Sequence, residues 1–393
     1  LAEDAETEDR PAVQVGDTYS EKLLIEANEE LVDGGLLRSA RDLGAAGLGG
    51  ASSELVAKGG LGAAIELERV HQREPNMNAL EIVLAESQER MCYEVRPEDV
   101  DAVREVAEKY DLGCSVIGEV TEGNYVCTFE GETVVDVPAE FLADGAPMND
   151  LDAVEPEPPE RDRPEIELRS AFEAVVGAPN TASKRWVYRQ YDHEVGARTA
   201  RKPGDDAAVM AVREAGTGVA LSAGAVPAWT DTAPYDGARA VALENATNLA
   251  AKGATPLAAV DCLNGGNPEK PAVYGRFSAI VDGLADMCRD LSIPVVGGNV
   301  SLYNDSVAGP IPPTPTLAVL GAKAGYDAPP ATLEGSGTLL LLGEGSDALG
   351  GSELLAQTGG SDAFPTLPEN ASEVVATLAD VAADDATLAV HDV

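Results

Sequence analysis

Two apolar segments of this chain end in turns rich in glycine, asparagine and aspartate. The first, residues 256–260, continues into Asp261 and the Asn-Gly-Gly-Asn turn at 264–267. The second, residues 294–296, runs through Gly297 into the Gly-Asn-Val-Ser sequence at 298–301. Glycine lets a backbone approach a bulky anion closely, and amide and hydroxyl oxygens suit a hard cation and a polar ligand. Each turn alone is typical of an ordinary connection, but two such strand ends together predict one nucleotide-and-metal site.

The length of 393 residues is enough for two or three domains, each with its own core. No apolar run approaches the roughly 18 residues that a membrane-spanning helix needs, and no cleavable leader opens the sequence. The five cysteines are scattered without a Cys-x-x-Cys pair, which disfavours zinc and disulfide frameworks and predicts reduced thiols. We therefore expect a soluble, cytoplasmic protein. The first residue is Leu1 and not Met, which predicts a processed or truncated N-terminus.

The formal net charge of −41 is extreme for a chain of this size. Acidic residues number 68 and recur throughout, whereas the 27 basic residues comprise only eight lysines and nineteen arginines. Such a field repels nucleic acid and anionic membranes, so we expect neither as a partner. In concentrated salt the Debye length falls to about 3 Å at 1 M, and phosphate ligands could then still approach. The charge therefore indicates a protein adapted to a salt-filled cytoplasm, the alternative being ordinary acidic solubility.

Helical and strand patterns alternate along the chain, which predicts an α/β (α+β) fold. The stretch 148–164 is rich in Pro, Asp and Glu and has no apolar period, so we expect an exposed linker there. The main expected helices are 20–33, 236–251, 271–291 and 371–383, and the main expected strands are 112–118, 256–261, 294–298, 314–321 and 338–342. Ser20, and Ser52 or Ser53, are candidate helix N-caps.

Five further motifs stand beside the segment 261–304. They are Val-Gln-Val-Gly-Asp at 13–17, Arg-Asp-Leu-Gly-Ala-Ala-Gly-Leu at 41–48, Glu-Ser-Gln-Glu-Arg-Met at 86–91, Lys-Arg-Trp-Val-Tyr-Arg-Gln-Tyr-Asp at 184–192 and Gly-Asp-Asp-Ala-Ala-Val at 204–209. In this order they resemble the large, ATP-using subunit of phosphoribosylformylglycinamidine synthase, an enzyme of purine biosynthesis. The resemblance covers nearly the whole chain apart from the acidic linker.

The resemblance implies PurM-like modules, because the family has two similar halves, each with a nucleotide-binding module and a companion α/β module. It places residues 1–147 in the first companion (C-terminal-type) module, 148–164 in the linker, 165–325 in the nucleotide-binding (N-terminal-type) module of the second half, and 335–393 at the start of the second companion. An internal repeat agrees: helices at 20–33 and 371–383 each precede a lone aspartate, Asp42 and Asp392. We therefore expect both companion modules to be incomplete and the first nucleotide-binding module to lie outside this chain.

The family reaction phosphorylates the amide oxygen of formylglycinamide ribonucleotide with ATP, and glutamine-derived ammonia then displaces the phosphate to give the amidine. The implied cofactors are Mg²⁺ and ATP, with ADP as an occupant of an auxiliary site. The implied partners are a PurQ-like glutaminase subunit and a small PurS-like subunit. Matching positions here are Asp261 and Gly298 for ATP, Asp42 and Asn299 for the metal, and Gln14, Glu86, Ser87, Gln88 and Ser301 for the substrate. The family's acid–base histidines belong to the module expected outside the chain, so no catalytic residue is assigned.

Plainer interpretations remain open for several of these residues. Gln14 alone could be a strand-edge amide, Asp42 a turn cap, and Ser301 with Asn304 partners for loop amides. Glu269 and Lys270 could form a surface ion pair of small worth. For the whole chain, one alternative is a non-catalytic nucleotide-binding scaffold that docks a glutaminase. Another is a different enzyme of the same superfamily, such as aminoimidazole ribonucleotide synthetase or a selenophosphate- or thiamine phosphate-processing kinase.

Overall fold

The computed structural model describes residues 16–72, 74–333, 335–343 and 345–393, and the chain divides into two compact units between Asn149 and Asp150. Within these ranges no helix has both the length and the apolar character that crossing a membrane requires. Both units mix helices with β-sheets, as the alternating pattern predicts.

The first unit contains a four-stranded sheet and a separate two-stranded antiparallel ribbon. Its helices are α1 (Thr18–Asp33), α2 (Gly47–Ala57), α3 (Ala79–Leu84), α4 (Val100–Lys109) and α5 (Ala139–Asp144). Its strands are β1 (Leu37–Asp42), β2 (Gly62–Glu66), β3 (Met91–Val95), β4 (Gly118–Thr121), β5 (Tyr125–Phe129) and β6 (Glu132–Val137). The sheet has the order β4-β2-β5-β6 with β2 and β5 parallel, and β1 pairs with β3.

Both predicted caps in this unit are wrong. Helix α1 begins after Asp17, whose Oδ1 accepts hydrogen bonds from the backbone N–H groups of Tyr19 and Ser20, each at 3.1 Å. A carboxylate three residues upstream therefore takes the capping position, and Ser20 lies inside the first turn. Helix α2 begins after Ala46, so Ser52 and Ser53 are interior; Ser52 Oγ donates to the Leu48 carbonyl at 2.6 Å.

The second unit is built around a six-stranded sheet. Its helices are α6 (Leu168–Val176), α7 (Arg185–Tyr188), α8 (Pro227–Thr232), α9 (Pro234–Ala250), α10 (Pro271–Asp290), α11 (Glu353–Thr358) and α12 (Ala371–Ala383). Its strands are β7 (Thr199–Arg201), β8 (Ala208–Val212), β9 (Thr217–Gly224), β10 (Thr255–Asn264), β11 (Val295–Ser301), β12 (Asp305–Ser306), β13 (Gly309–Pro310) and β14 (Thr314–Ala324). The sheet order is β11-β10-β14-β9-β8-β7, in which β10 and β11 are parallel and the other neighbours antiparallel.

One face of this sheet carries the core of the second unit. Helix α9 presents a row of buried alanines spaced by four residues, which lets its backbone lie close to the strands: Ala238, Ala242, Ala246 and Ala250. Residues of α10 and α12, such as Ile280 and Val375, belong to the same apolar cluster. Strand residues alternate as a one-sided sheet requires: Leu317 and Val319 are buried, while Leu320 is exposed. The helices predicted at 236–251, 271–291 and 371–383 are confirmed within a few residues.

Two predicted strands are wrong. Residues 112–117 have no regular structure, and β4 begins only at Gly118, which pairs with Ile65 of β2. Residues 338–342 form no strand either, and Leu339 to Leu342 are exposed. Aliphatic residues favour strands only where a neighbouring strand can complete the hydrogen-bond ladder, and local composition does not encode that neighbour.

A buried ion cluster joins distant parts of the second unit. The Lys252 side chain is 0% exposed, and its Nζ contacts the carboxylates of Asp205 and Asp206. The same ammonium donates to the carbonyls of Pro329 at 3.2 Å and Val390 at 3.3 Å. One cation therefore ties the turn before β8, the segment after β14 and the last residues of the chain to the end of α9.

The stretch 148–164 contains no helix and is fixed at two points. The Val154 N–H donates to the Pro271 carbonyl at 3.0 Å. Further along, Arg161 Nε and Arg163 Nε bind the buried Asp362 carboxylate at 2.7 and 2.6 Å. Burial without a partner would be costly for this carboxylate, so the two arginines hold the stretch against the segment around Asp362. The finer division into a linker and three modules stays a prediction.

Candidate functional site

The two turns that the sequence singles out lie side by side in the second unit. Strands β10 and β11 are parallel neighbours, so their carboxyl ends meet at one edge of the sheet. In the register, Asp261 is opposite Gly298, Cys262 opposite Asn299, and Asn264 opposite Ser301. The structure therefore places the backbones of the four site residues predicted in this unit side by side, near the carboxyl ends of the strands, where ligands of open α/β sheets commonly bind. Because side chains alternate along a strand, Asp261 lies on one face of the sheet, and Asn299 and Ser301 lie on the other.

Gly298 lies directly beside the Asp261 carboxylate. A Cβ placed on Gly298 would lie 2.1 Å from Asp261 Oδ1 and 2.6 Å from its Cγ, far inside van der Waals contact. The carboxylate thus occupies the space that a side chain at position 298 would fill. Burial raises the pKa of the Asp261 carboxyl, and the backbone N–H of Asn299 opposes this by hydrogen bonding to it. The Asp261 carboxylate of β10 therefore lies beside the bare backbone of Gly298 in β11.

Asn299 and Ser301 follow on the same strand. Asn299 is exposed, and its side-chain amide makes no hydrogen bond to the described residues. Ser301 is half-buried, its carbonyl accepts from the Gly265 N–H at 2.9 Å, and its Oγ contacts the Asn304 amide at 3.1 Å. One amide and one hydroxyl are therefore available at this edge.

The turns after β10 and β11 are closed by a contact that differs from the sequence prediction. Lys270 does not pair with Glu269; its Nζ donates to Asp305 Oδ1 at 2.6 Å. Asp305 Oδ2 accepts from the Asn267 N–H at 2.6 Å, and Glu269 accepts from the Tyr303 hydroxyl at 3.2 Å. Sequence reasoning missed Asp305, because its partners are more than thirty residues away. The only local signal was its place in the same polar run as Asn299.

The first unit groups another set of predicted residues. Asp42 ends β1 opposite Met91 of β3, and the Leu43 N–H donates to the Arg90 carbonyl at 3.1 Å. Glu86 lies in the connection from α3 to β3, and its Oε1 accepts from the Ala46 N–H at 3.1 Å. The turns that carry Asp42 and Glu86 are therefore adjacent.

The arginine of the Glu-Ser-Gln-Glu-Arg-Met motif organises the rest of this connection. Arg90 donates from Nε to the Ser87 carbonyl at 3.0 Å and from a terminal nitrogen to the Ala85 carbonyl at 2.6 Å. Ser87 is thereby held half-buried beside exposed Glu86 and Gln88. Gln14, the remaining predicted substrate residue, lies outside the described residues.

Two protein families match separate parts of the chain. Residues 1–128 match the family described as "AIR synthase related protein, C-terminal domain", and residues 204–322 match "AIR synthase related protein, N-terminal domain". The first match lies in the first unit and the second covers β8 to β11 and most of β14.

Proteins named phosphoribosylformylglycinamidine synthase subunit PurL match over the whole chain. The protein from Natronomonas pharaonis is 78% identical over 394 residues, and that from Haloquadratum walsbyi is 73% identical over 394 residues. The chain belongs to the PurL family. It spans 55% and 54% of the length of these two relatives, with 100% of its own residues aligned.

Solved PurL structures share the fold. The structure described as Thermotoga maritima PurL complexed with ATP is 37% identical and has a TM-score of 0.66, covering 79% of this chain and 50% of that one. The structure described as T. maritima PurL complexed with FGAR is 36% identical, with a TM-score of 0.65, covering 79% and 49%. The predicted α/β architecture of PurM-like modules and the family resemblance are thus confirmed, while the roles of individual residues stay predictions.

Proposed function

We propose that the chain acts in the ATP-dependent amidation of formylglycinamide ribonucleotide to the amidine, as a carbon–nitrogen ligase of purine biosynthesis. The observation that carries this proposal is the register of β10 and β11 near their carboxyl ends. It makes the predicted residues of this unit neighbours: Asp261, Gly298, Asn299 and Ser301. The relatives over the whole chain are PurL proteins, and a PurL of this fold has been solved with ATP and with FGAR.

Phosphoryl transfer suits such a site, because it depends on positioning and on stabilising charge and less on a protein nucleophile. In the second unit, the Asp261 carboxylate would accept from the nucleotide and the bare backbone of Gly298 would let it approach closely. Ser301 would donate to an oxygen of the ribonucleotide. In the first unit, Glu86, Ser87 and Gln88, with Gln14, would bind hydroxyl and amide groups of a ribonucleotide substrate. No residue of this chain is assigned an acid–base role.

The residues present fit Mg²⁺. Asp42 and Asn299 are both exposed, and neither is in an ion pair or a side-chain hydrogen bond with the described residues. A carboxylate and an amide oxygen are ligands that Mg²⁺ accepts while keeping several waters. When bound, the ion would neutralise phosphate charge. We propose that each is a protein ligand of Mg²⁺ in its own unit.

The proposal extends to partners and surroundings. Glutamine-derived ammonia would come from a PurQ-like glutaminase, with a small PurS-like subunit; one T. maritima structure, 37% identical with a TM-score of 0.67, is described as PurLQS. The charge of −41 and the relatives from N. pharaonis and H. walsbyi support a cytoplasm rich in salt. As the family resemblance implies, ADP would occupy a second, auxiliary nucleotide site.

The direct test is ATP hydrolysis by the chain, in molar potassium chloride, with and without formylglycinamide ribonucleotide. We expect hydrolysis that depends on the ribonucleotide once the glutaminase, the small subunit and the remaining PurL sequence are supplied. Ribonucleotide-independent binding of Mg-ADP with no turnover under these conditions would instead support the scaffold alternative.

Replacing Asn299 by leucine is expected to weaken Mg-nucleotide affinity about tenfold, since one oxygen ligand of the ion is lost. The matched control is Val300→Leu, the next residue of β11, whose side chain is 56% exposed. Calorimetry in molar salt measures both affinities, and circular dichroism checks the fold. An Asn299→Leu variant that binds as the control does would remove Asn299 from the metal site.

A further inference from the structure

The connections after β10 and β11 are joined by backbone hydrogen bonds. The Gly265 N–H donates to the Ser301 carbonyl at 2.9 Å, and the Asn304 N–H donates to the Gly265 carbonyl at 3.1 Å. Tyr303, between them, has a left-handed φ of 62°, and its N–H donates to the Gly266 carbonyl at 3.2 Å. This turn folds the chain back, so that Asn304 lies over the end of the strand that carries Ser301.

The Asn304 side chain has one orientation that fits its surroundings. Its Nδ2 is 3.1 Å from the Gly265 carbonyl oxygen, 3.0 Å from the Ser301 carbonyl oxygen and 3.1 Å from Ser301 Oγ. Carbonyl oxygens only accept hydrogen bonds, so the NH₂ group must point toward them. The reversed amide would place its own oxygen against two carbonyl oxygens. The two hydrogens of the NH₂ group are shared among these three acceptors, so Ser301 Oγ faces that group and not the amide oxygen.

This contact decides what the Ser301 hydroxyl offers to a ligand. A hydroxyl has one hydrogen and two lone pairs, and here a lone pair faces the Asn304 amide. Its hydrogen is left to point elsewhere, and the hydroxyl can donate. We propose that Asn304 is a positioning residue, which orients Ser301 as a donor to a phosphate or carbonyl oxygen of the bound ribonucleotide. This role rests on the proposed function, because it needs Ser301 to touch that ligand.

Contacts of the neighbouring residue Asp305 hold the turn that carries Asn304. The next residue, Asp305, accepts from Lys270 Nζ and from the Asn267 N–H, both at 2.6 Å. This clamp fixes both connections independently of the Asn304 side chain. Asn304 could be altered without opening them, so a role in closing the turn can be separated from a role in orienting Ser301.

A double-mutant cycle tests the proposal, with the affinities for formylglycinamide ribonucleotide and Mg-ATP measured by calorimetry on the full chain in molar potassium chloride. Asn304→Ala removes the donor, and Asn304→Asp removes it at nearly constant volume. We expect each to weaken ribonucleotide binding about tenfold, the scale of one hydrogen bond to a charged group, and to leave Mg-ATP affinity within about twofold. In a Ser301→Ala background the same changes should have less than about a twofold effect.

The outcomes separate the two proposals. If Ser301→Ala weakens ribonucleotide binding and Asn304→Asp does not, the positioning role is wrong while the proposed site stands. Equal losses in both backgrounds, or an equal loss of Mg-ATP affinity, would make Asn304 a merely structural residue. If Ser301→Ala has no effect, Ser301 does not contact the ribonucleotide, and both its assignment and the role of Asn304 fall. Asp305→Asn, which weakens the clamp and keeps Asn304, shows how far loop opening alone affects each affinity.

Discussion

Gly298→Ala is expected to lower the affinity for a magnesium nucleotide about 10- to 100-fold. The new Cβ would lie 2.1 Å from Asp261 Oδ1 and 3.1 Å from the Asp261 carbonyl oxygen. No Cβ tolerates the shorter distance, so the carboxylate must turn away or β10 and β11 must separate. The displaced carboxylate is the proposed acceptor for the nucleotide, and one hydrogen bond to a charged group contributes about 1.5–3 kcal/mol.

The neighbouring glycine is a matched control. A Cβ on Gly297 would have Val260 Cγ1 at 3.9 Å as its nearest neighbour, which is ordinary contact. Gly297→Ala makes the same chemical change one residue earlier in the same strand, and we expect nearly unchanged affinity. Calorimetry on both variants measures the difference. The effect of Gly298→Ala should also largely disappear in an Asp261→Ala background, since the group that it strikes is then absent. Equal behaviour of the two glycine variants would show that Asp261 does not require Gly298.

The end of β10 and β11 could be predicted from sequence because each strand carries its signal locally. Residues 256–261 and 294–298 are apolar segments that end in glycine and in polar residues, and the structure extends both into neighbouring parallel strands. Their adjacency was inferred from similarity of the two turns, and the register then places Asp261 opposite Gly298. The local sequence could not show why position 298 is a glycine, since the carboxylate that fills its side-chain space belongs to another strand.

The errors have the same physical origin. The residues 338–342 are hydrophobic enough for a strand, but a strand exists only with a partner, and these leucines are exposed. The sequence offers Glu269 as one possible partner of Lys270, whereas the partner in the structure, Asp305, is 35 residues away. The sequence suggests Asn304 as a partner for loop amides, and its side chain does bind two backbone carbonyls. Its contact with Ser301 Oγ becomes visible only once the connections after β10 and β11 are placed.

Lys252 is the position outside the site at which substitution should cost the second unit most. Lys252→Met is expected to lower the free energy of unfolding by about 3–5 kcal/mol, because it removes the buried ammonium from two largely buried carboxylates. Arg201 Nε, 3.9 Å from Asp205, and His391 beside Asp206 would be left as their basic neighbours. Burial alone raises the pKa of Asp205, but the hydrogen bond and charge of Lys252 bring that pKa below its usual value. The ammonium therefore favours the ionised form of Asp205, and its removal also frees the carbonyls of Pro329 and Val390.

Urea denaturation in molar potassium chloride measures this loss, with Lys202→Met as the control. Lys202 is also paired with a carboxylate, Glu194, but its side chain is 60% exposed, so water replaces the lost contact and little change is expected. Adding Asp205→Asn and Asp206→Asn to Lys252→Met should recover part of the loss, since neutral side chains no longer require a cation. A Lys252→Met variant as stable as the Lys202 control would mean that water reaches these carboxylates in the folded protein. The end of the chain would then be held to α9 by other contacts, such as the hydrogen bond from Thr247 Oγ1 to Asp392 at 2.6 Å.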